Sequence, residues 1–108
     1  MIHIIYNRGE NKLTVKGHAE SAEFGRDLVC ASVSVLVNTL AAFARNCRRA
    51  GQVQKPTIRL EPGDTLILCR AKPAAVAGVT LVMDSICGGF ELLAHDYPDY
   101  VTYRVYEP

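Results

Sequence analysis

The segment from Leu28 to Arg45 constrains this chain more than any other, because it carries no charged residue between its ends yet is long enough for several helical turns. Asp27 stands just before it, and Asp is a preferred N-cap whose oxygen accepts from the free amides of a first turn. Arg48 and Arg49 follow near its far end, where cations suit a helix dipole, and Gly51 is suited to the C′ position. The segment Leu28–Cys47 is therefore predicted to be one long helix. Leu28, Val29, Val33, Val35, Leu36, Val37, Leu40 and Phe43 put apolar side chains around most of its circumference. Such a helix is expected to be covered from more than one side, which suggests a sheet on one side and room for a partner subunit on the other.

Short strands surround this helix. Ile2–Asn7 is rich in β-branched residues and ends in the turn-forming run Asn7-Arg8-Gly9-Glu10-Asn11. Lys12–Lys16 alternates polar and apolar residues, as the second arm of a hairpin does. Thr57–Leu60 and Thr65–Cys69 repeat the arrangement across Glu61-Pro62-Gly63-Asp64. A second helix is expected over about Ala74 to His95, with close packing or a break near Gly88-Gly89. Tyr100–Tyr106 alternates and is predicted to be an edge strand. The order β-β-α-β-β-α-β predicts an α+β two-layer sandwich, with two helices covering one face of a mixed sheet. With 108 residues and no internal linker, the chain 1–108 is expected to form a single domain.

Charge and composition narrow the function. A formal net charge of +1 offers no strongly basic surface for nucleic acid. The only basic cluster, Arg45, Arg48 and Arg49, is accounted for by the helix end. The opening residues lack the pattern of a signal peptide, and no segment is expected to reach the ~20 apolar residues of a membrane span. The expected compartment is the cytoplasm. There, Cys30, Cys47, Cys69 and Cys87 would not form a disulfide framework, and none forms a C-x-x-C pair of the zinc or redox kind. No metal and no cofactor are expected. Cys47, Cys69 and Cys87 lie in apolar contexts and read as small core hydrophobes.

Cys30 differs from these. With Asp27 as N-cap it would be the third helical residue, near unpaired amides and the positive end of the dipole, a setting that favours a thiolate. An ordinary buried cysteine on an apolar helix fits the same spacing. His18 follows Gly17 at the end of the second predicted strand, and the intervening polar segment can return it over the helix start. An imidazole within reach of a sulfur is what a cysteine peptidase needs, although a lone strand-end His also serves as a cap. His3 and His95 receive no chemical role. Asp27 either caps the helix, orients His18, or does both. Ser34 lies four residues after Cys30 on the same face, where it can bond within a site or back to the Cys30 carbonyl. The amides around Val29 to Ala31 are candidates for an oxyanion hole.

Gly17-His18-Ala19, then Gly25-x-Asp27-Leu28-Val29-Cys30-Ala31, then Ser34, resembles the signature of the ribosomal-processing cysteine protease Prp family, as does Tyr97-Pro98-Asp99-Tyr100-Val101 near the end. The element order resembles that family over essentially the whole chain. The resemblance implies a homodimeric cysteine endopeptidase that removes a short N-terminal extension from bacterial large-subunit ribosomal protein twenty-seven, cutting after an aromatic residue in an apolar stretch. It implies Cys30 as nucleophile, His18 as base, and Asp27 and Ser34 as supporting residues. It further implies a mobile loop of Glu20, Ser21, Ala22, Glu23, Phe24, Gly25 and Arg26, with Gly25 as a plausible hinge. The expected partners are the ribosomal protein precursor and a second copy of the chain, with neither nucleic acid nor membrane. The competing reading is a non-catalytic ribosome-associated or regulatory homodimer in which Cys30 and His18 are structural. A redox or metal site built on Cys30, His18 and another cysteine is a third, for which close Cys or His pairs are lacking.

Overall fold

The computed structural model describes residues 1–18 and 26–107, with Arg26 described by its backbone alone. The elements are β1 (Ile2–Asn7), β2 (Lys12–Gly17), α1 (Arg26–Arg49), β3 (Thr57–Glu61), β4 (Asp64–Leu68), α2 (Val76–Asp96) and β5 (Val101–Tyr106), with a 3₁₀ turn at Pro73–Ala75 ahead of α2. This is the expected β-β-α-β-β-α-β order and an α+β fold. The five strands form one sheet in the order β3-β4-β2-β1-β5. The β1–β5 pairing is parallel and the others antiparallel, so the sheet is mixed. β5 lies at an edge, as its alternating pattern predicted, and β3 lies at the other.

The alternation of β1 and β2 decides which face of the sheet is covered. Ile2, Ile4, Tyr6, Leu13 and Val15 are buried, whereas His3 and Ile5 are exposed on the opposite face. Against the buried face α1 lays Val29, Val33, Val37, Leu40 and Ala44, and α2 lays Val79, Met83, Cys87 and Phe90. Both series recur at three- and four-residue spacing, the stripe of an amphipathic helix. Each large apolar side chain so buried contributes about 1.5–3 kcal/mol relative to exposure.

Several expectations change here. α1 begins at Arg26 and ends at Arg49, so Asp27 is not its N-cap but an acid of its first turn. Asp is favourable in both places, since the free amides and the dipole attract a carboxylate throughout that turn. α1 is covered by the sheet and by α2, and its remaining face is open: Leu28 and Val35 face outward, with Val35 65% exposed. α2 does not break at Gly88. Of the two alternatives it is the close packing that is found: the helix is continuous, α1 approaches at Gly89, and a Cβ there would lie 2.9 Å from Leu36. Finally, both helices have the length and hydropathy of a membrane span, contrary to the expectation that no segment would. In the fold their apolar stripes lie on the sheet.

The end of α1 follows the anticipated design. Gly51 has φ +71°, its amide donates to the Arg48 carbonyl, and the Gln52 amide donates to the Cys47 carbonyl, the paired bonds of a Schellman cap. Among the described residues a polar network also ties the sheet to α2. The Tyr6 hydroxyl donates to Asp84 at 2.8 Å, and the Arg8 guanidinium reaches both oxygens of the same carboxylate at 3.0 Å.

Candidate active site

His18 owes its place to strand pairing. β2 pairs with both β1 and β4, so the end of β2 meets the β3–β4 turn, Glu61 to Asp64. The Gly17 amide donates to the Gly63 carbonyl at 3.0 Å and fixes that meeting. A backbone bond from Met1 to the His18 carbonyl holds the other side. The His18 ring then stands directly against Gly63.

Cys30 owes its place to the periodicity of α1. It lies one residue beyond buried Val29 and is itself part-exposed, at the margin of the stripe that faces the sheet. Because α1 starts at Arg26, Cys30 is its fifth residue rather than its third. The dipole acts mainly within the first turn, and Cys30 lies just past that turn rather than inside it. The same shift removes an oxyanion hole at Cys30 and Ala31, whose amides point back along the helix to the carbonyls of Arg26 and Asp27.

Cys30, His18 and Ser34 line one cavity of about 360 Å³. Its apolar part consists of Ile2, Val15, Val33, Val37 and Leu60, and the β3–β4 turn closes one side. Among the described residues no hydrogen bond joins the His18 ring to the Cys30 sulfur. Catalytic contacts of this kind often tighten only when substrate is bound. The Ser34 hydroxyl makes no bond to the Cys30 carbonyl. The neighbouring Ser32 makes that kind of bond, to the Leu28 carbonyl at 2.8 Å. Asp27 is exposed in the first turn of α1. The expected mobile loop, from Glu20 to Gly25 with its hinge, lies outside the described residues, and Arg26 belongs to α1 rather than to a loop.

The sequence left the second wall unread. Pro62-Gly63-Asp64 reads only as a turn, and nothing in it announces that strand register will bring it to His18. Asp64 lines the cavity and is bonded by Lys16 and by Arg59, the latter at 2.9 Å. The Lys16 ammonium, and then the Arg59 guanidinium, hold the Asp64 carboxyl below the usual carboxylate range. Asp64 is thus a carboxylate at neutral pH whose charge is already answered by two cations.

The other cysteines differ in kind. Cys47, Cys69 and Cys87 are buried, and burial pushes their thiols up, to about 11 for Cys69 and about 12 for Cys87. They are protonated core residues, as expected. A larger cavity of about 800 Å³ lies around Arg8, Asn11 and Asp84, where the charged groups pair largely with one another and no thiol or imidazole is present. Among the described residues no group of three or more His, Cys, Asp or Glu is arranged to hold a metal ion.

A part-exposed thiol and an imidazole on the walls of one cavity, carried by this α+β fold, are the parts from which a cysteine protease is built. The sequence model of a family described as Cysteine protease Prp matches residues 1–102, and the chain belongs to that family. It is therefore a cysteine protease, a hydrolase. A curated relative from Mycoplasma pneumoniae, named ribosomal processing cysteine protease Prp, is 30% identical over 96 residues, covering 87% of this chain and 86% of the relative. Among solved structures, SMU.848 from Streptococcus mutans matches with a TM-score of 0.72 at 22% identity, over 100% of this chain and 99% of that one. The ribosomal processing protease Prp from S. aureus in complex with a substrate peptide matches with a TM-score of 0.61 at 17% identity, over 96% of each chain. The S. aureus enzyme with a covalently linked product peptide gives 0.58 at 19%, over 99% of this chain and 97% of that one. At these identities the structural likeness establishes the fold.

Proposed function

We propose that this protease removes a short N-terminal extension from bacterial large-subunit ribosomal protein twenty-seven in the cytoplasm, with Cys30 as nucleophile and His18 as its base. The observation that carries this reading is the shared cavity: the only part-exposed cysteine of the four faces it, and so does His18. In the reaction the imidazole takes the thiol proton, and the sulfur adds to the scissile carbonyl carbon. The carbon–nitrogen bond breaks, the imidazolium protonates the leaving amine, and a thioester remains. Water, deprotonated by the same imidazole, then releases the new carboxylate and restores the thiol. The apolar lining from Ile2, Val15, Val33, Val37 and Leu60 suits the aromatic side chain before the scissile bond. Ser34 and Asp27 are supporting residues, Ser34 through the cavity wall and Asp27 through the first turn of α1.

The test is incubation with the extension-bearing ribosomal protein, followed by intact-mass analysis. The native enzyme is expected to shorten it at one bond. Cys30→Ala and Cys30→Ser are expected to fold normally and to lose at least about a thousandfold in rate. A Cys30→Ala protein that cuts at the native rate removes the reading.

We also propose that the protease is a homodimer, joined through the outer faces of its two helices. Val35 and Leu92, each 65% exposed, flank an apolar groove that also includes Leu36 and Leu93. A run of exposed aliphatic side chains on adjacent helices is the composition of an interface rather than of a solvated face.

A further inference from the structure

We propose that Gly63 is a positioning residue for the reaction: its missing side chain is the seat that holds the His18 imidazole at the cavity. The inference rests on the reading of His18 as the catalytic base. Gly63 lies in the β3–β4 turn with φ +70°. An added Cβ would stand 2.3 Å from Nε2 of His18, 2.7 Å from Cε1 and 3.0 Å from Cδ2. These distances are far inside van der Waals contact, so the ring and a Cβ cannot occupy that space together. The ring is the movable partner, since it ends a side chain, while Gly63 is fixed by the Gly17 amide on its carbonyl. Any side chain at 63 therefore evicts the imidazole from the place where it lines the cavity with Cys30.

The turn alone does not explain this glycine. Gly51 adopts nearly the same backbone conformation, φ +71°, yet an added Cβ there would meet nothing within 4 Å. Both glycines satisfy a left-handed backbone, but Gly63 additionally makes room for a ring. The pair supplies its own control, because Gly51→Ala carries the backbone cost without the eviction. Gly63→Asn is the companion variant, since Asn tolerates the left-handed region while still bringing a Cβ.

Two readouts test the proposal, one of them independent of any protein substrate. The rate of Cys30 alkylation by iodoacetamide is followed against pH, and kcat and KM are measured on the extension-bearing ribosomal protein. In the native protein, and in Gly51→Ala, alkylation near neutral pH is expected to be raised by His18. Gly63→Ala and Gly63→Asn are expected to shift the profile to that of His18→Ala. Their kcat should fall by about a hundredfold, the cost of an ångström-scale misplacement, with KM changed less than about threefold. In a His18→Ala background, Gly63→Ala should cost nothing further, because both act through one ring. The proposal is overturned if both Gly63 variants keep the native profile and kcat. It is overturned equally if Gly51→Ala matches their losses, or if Gly63→Ala is as harmful without the ring as with it. If His18→Ala itself alkylates and cleaves like the native protein, the reading of His18 as base fails, and the seat loses its purpose with it.

Discussion

At the scale of single residues, the four cysteines divide by surroundings rather than by sequence neighbours. Burial keeps Cys47, Cys69 and Cys87 protonated, while Cys30 opens on the cavity. Brief iodoacetamide treatment of the folded protein at neutral pH is expected to add one label, at Cys30, and treatment after denaturation four. A second native adduct would refute that division. The same burial fixes an alkaline limit. Burial raises these thiols above the ordinary range of a free cysteine, to about 11 for Cys69 and about 12 for Cys87. The unfolded chain therefore loses protons first as pH rises, and stability that is complete below about pH 9 declines from there toward pH 12. Thermal unfolding midpoints between pH 7 and 11 check this, and a midpoint that climbs above pH 9 contradicts it. Cys30 and His18 were both singled out by residue type and spacing, and the structure places them on one cavity. The start of α1 was not, because a carboxylate stabilises a helix equally as a cap and within the first turn. That ambiguity over Asp27 displaced Cys30 by two positions and placed an oxyanion hole where the backbone amides are already committed.

At the scale of elements, the periodicities were legible and the contacts between elements were not. The alternation in β1 and β2 and the stripes on α1 and α2 were open to reading, because each needs only local geometry. The pair Gly88-Gly89 was legible only as an alternative, close packing or a break, because the neighbour that decides between them lies on another element. Here the two positions are expected to respond differently. Gly88 has open space around it, and Gly88→Ala should add up to about 1 kcal/mol through helix propensity. At Gly89 the same methyl meets Leu36 at 2.9 Å. Gly89→Val should cost about 1–3 kcal/mol by overpacking the contact between α1 and α2. Urea denaturation distinguishes them, and equal responses would mean that the helices do not touch there as described. The β3–β4 turn belongs to the same lesson. Its residues declared a reversal of the chain, and only the pairing of β4 with β2 made it a wall of the cavity that Cys30 and His18 line.

At the scale of the whole molecule, the domain covers one face of its sheet and leaves its helices apolar on the outside. The composition foretold this half-way. An apolar circumference on α1 implied more than one covering surface; the chain supplies the sheet and α2 and leaves the face around Leu28 and Val35 open. If another copy of the chain covers that face, replacing Val35 and Leu92 with Glu should halve the mass measured by light scattering while leaving the far-ultraviolet dichroism unchanged. A native protein that already runs as a monomer at high concentration would exclude it.

The bond from the Gly17 amide to the Gly63 carbonyl has a consequence in time as well as in space. His18 and Cys30 both precede the β3–β4 turn in the chain, so the ring is made before the turn that backs it. The cavity gains that wall only when the fourth strand pairs with the second. If the proposed pair is the catalytic one, cutting is expected only from chains whose sheet has assembled.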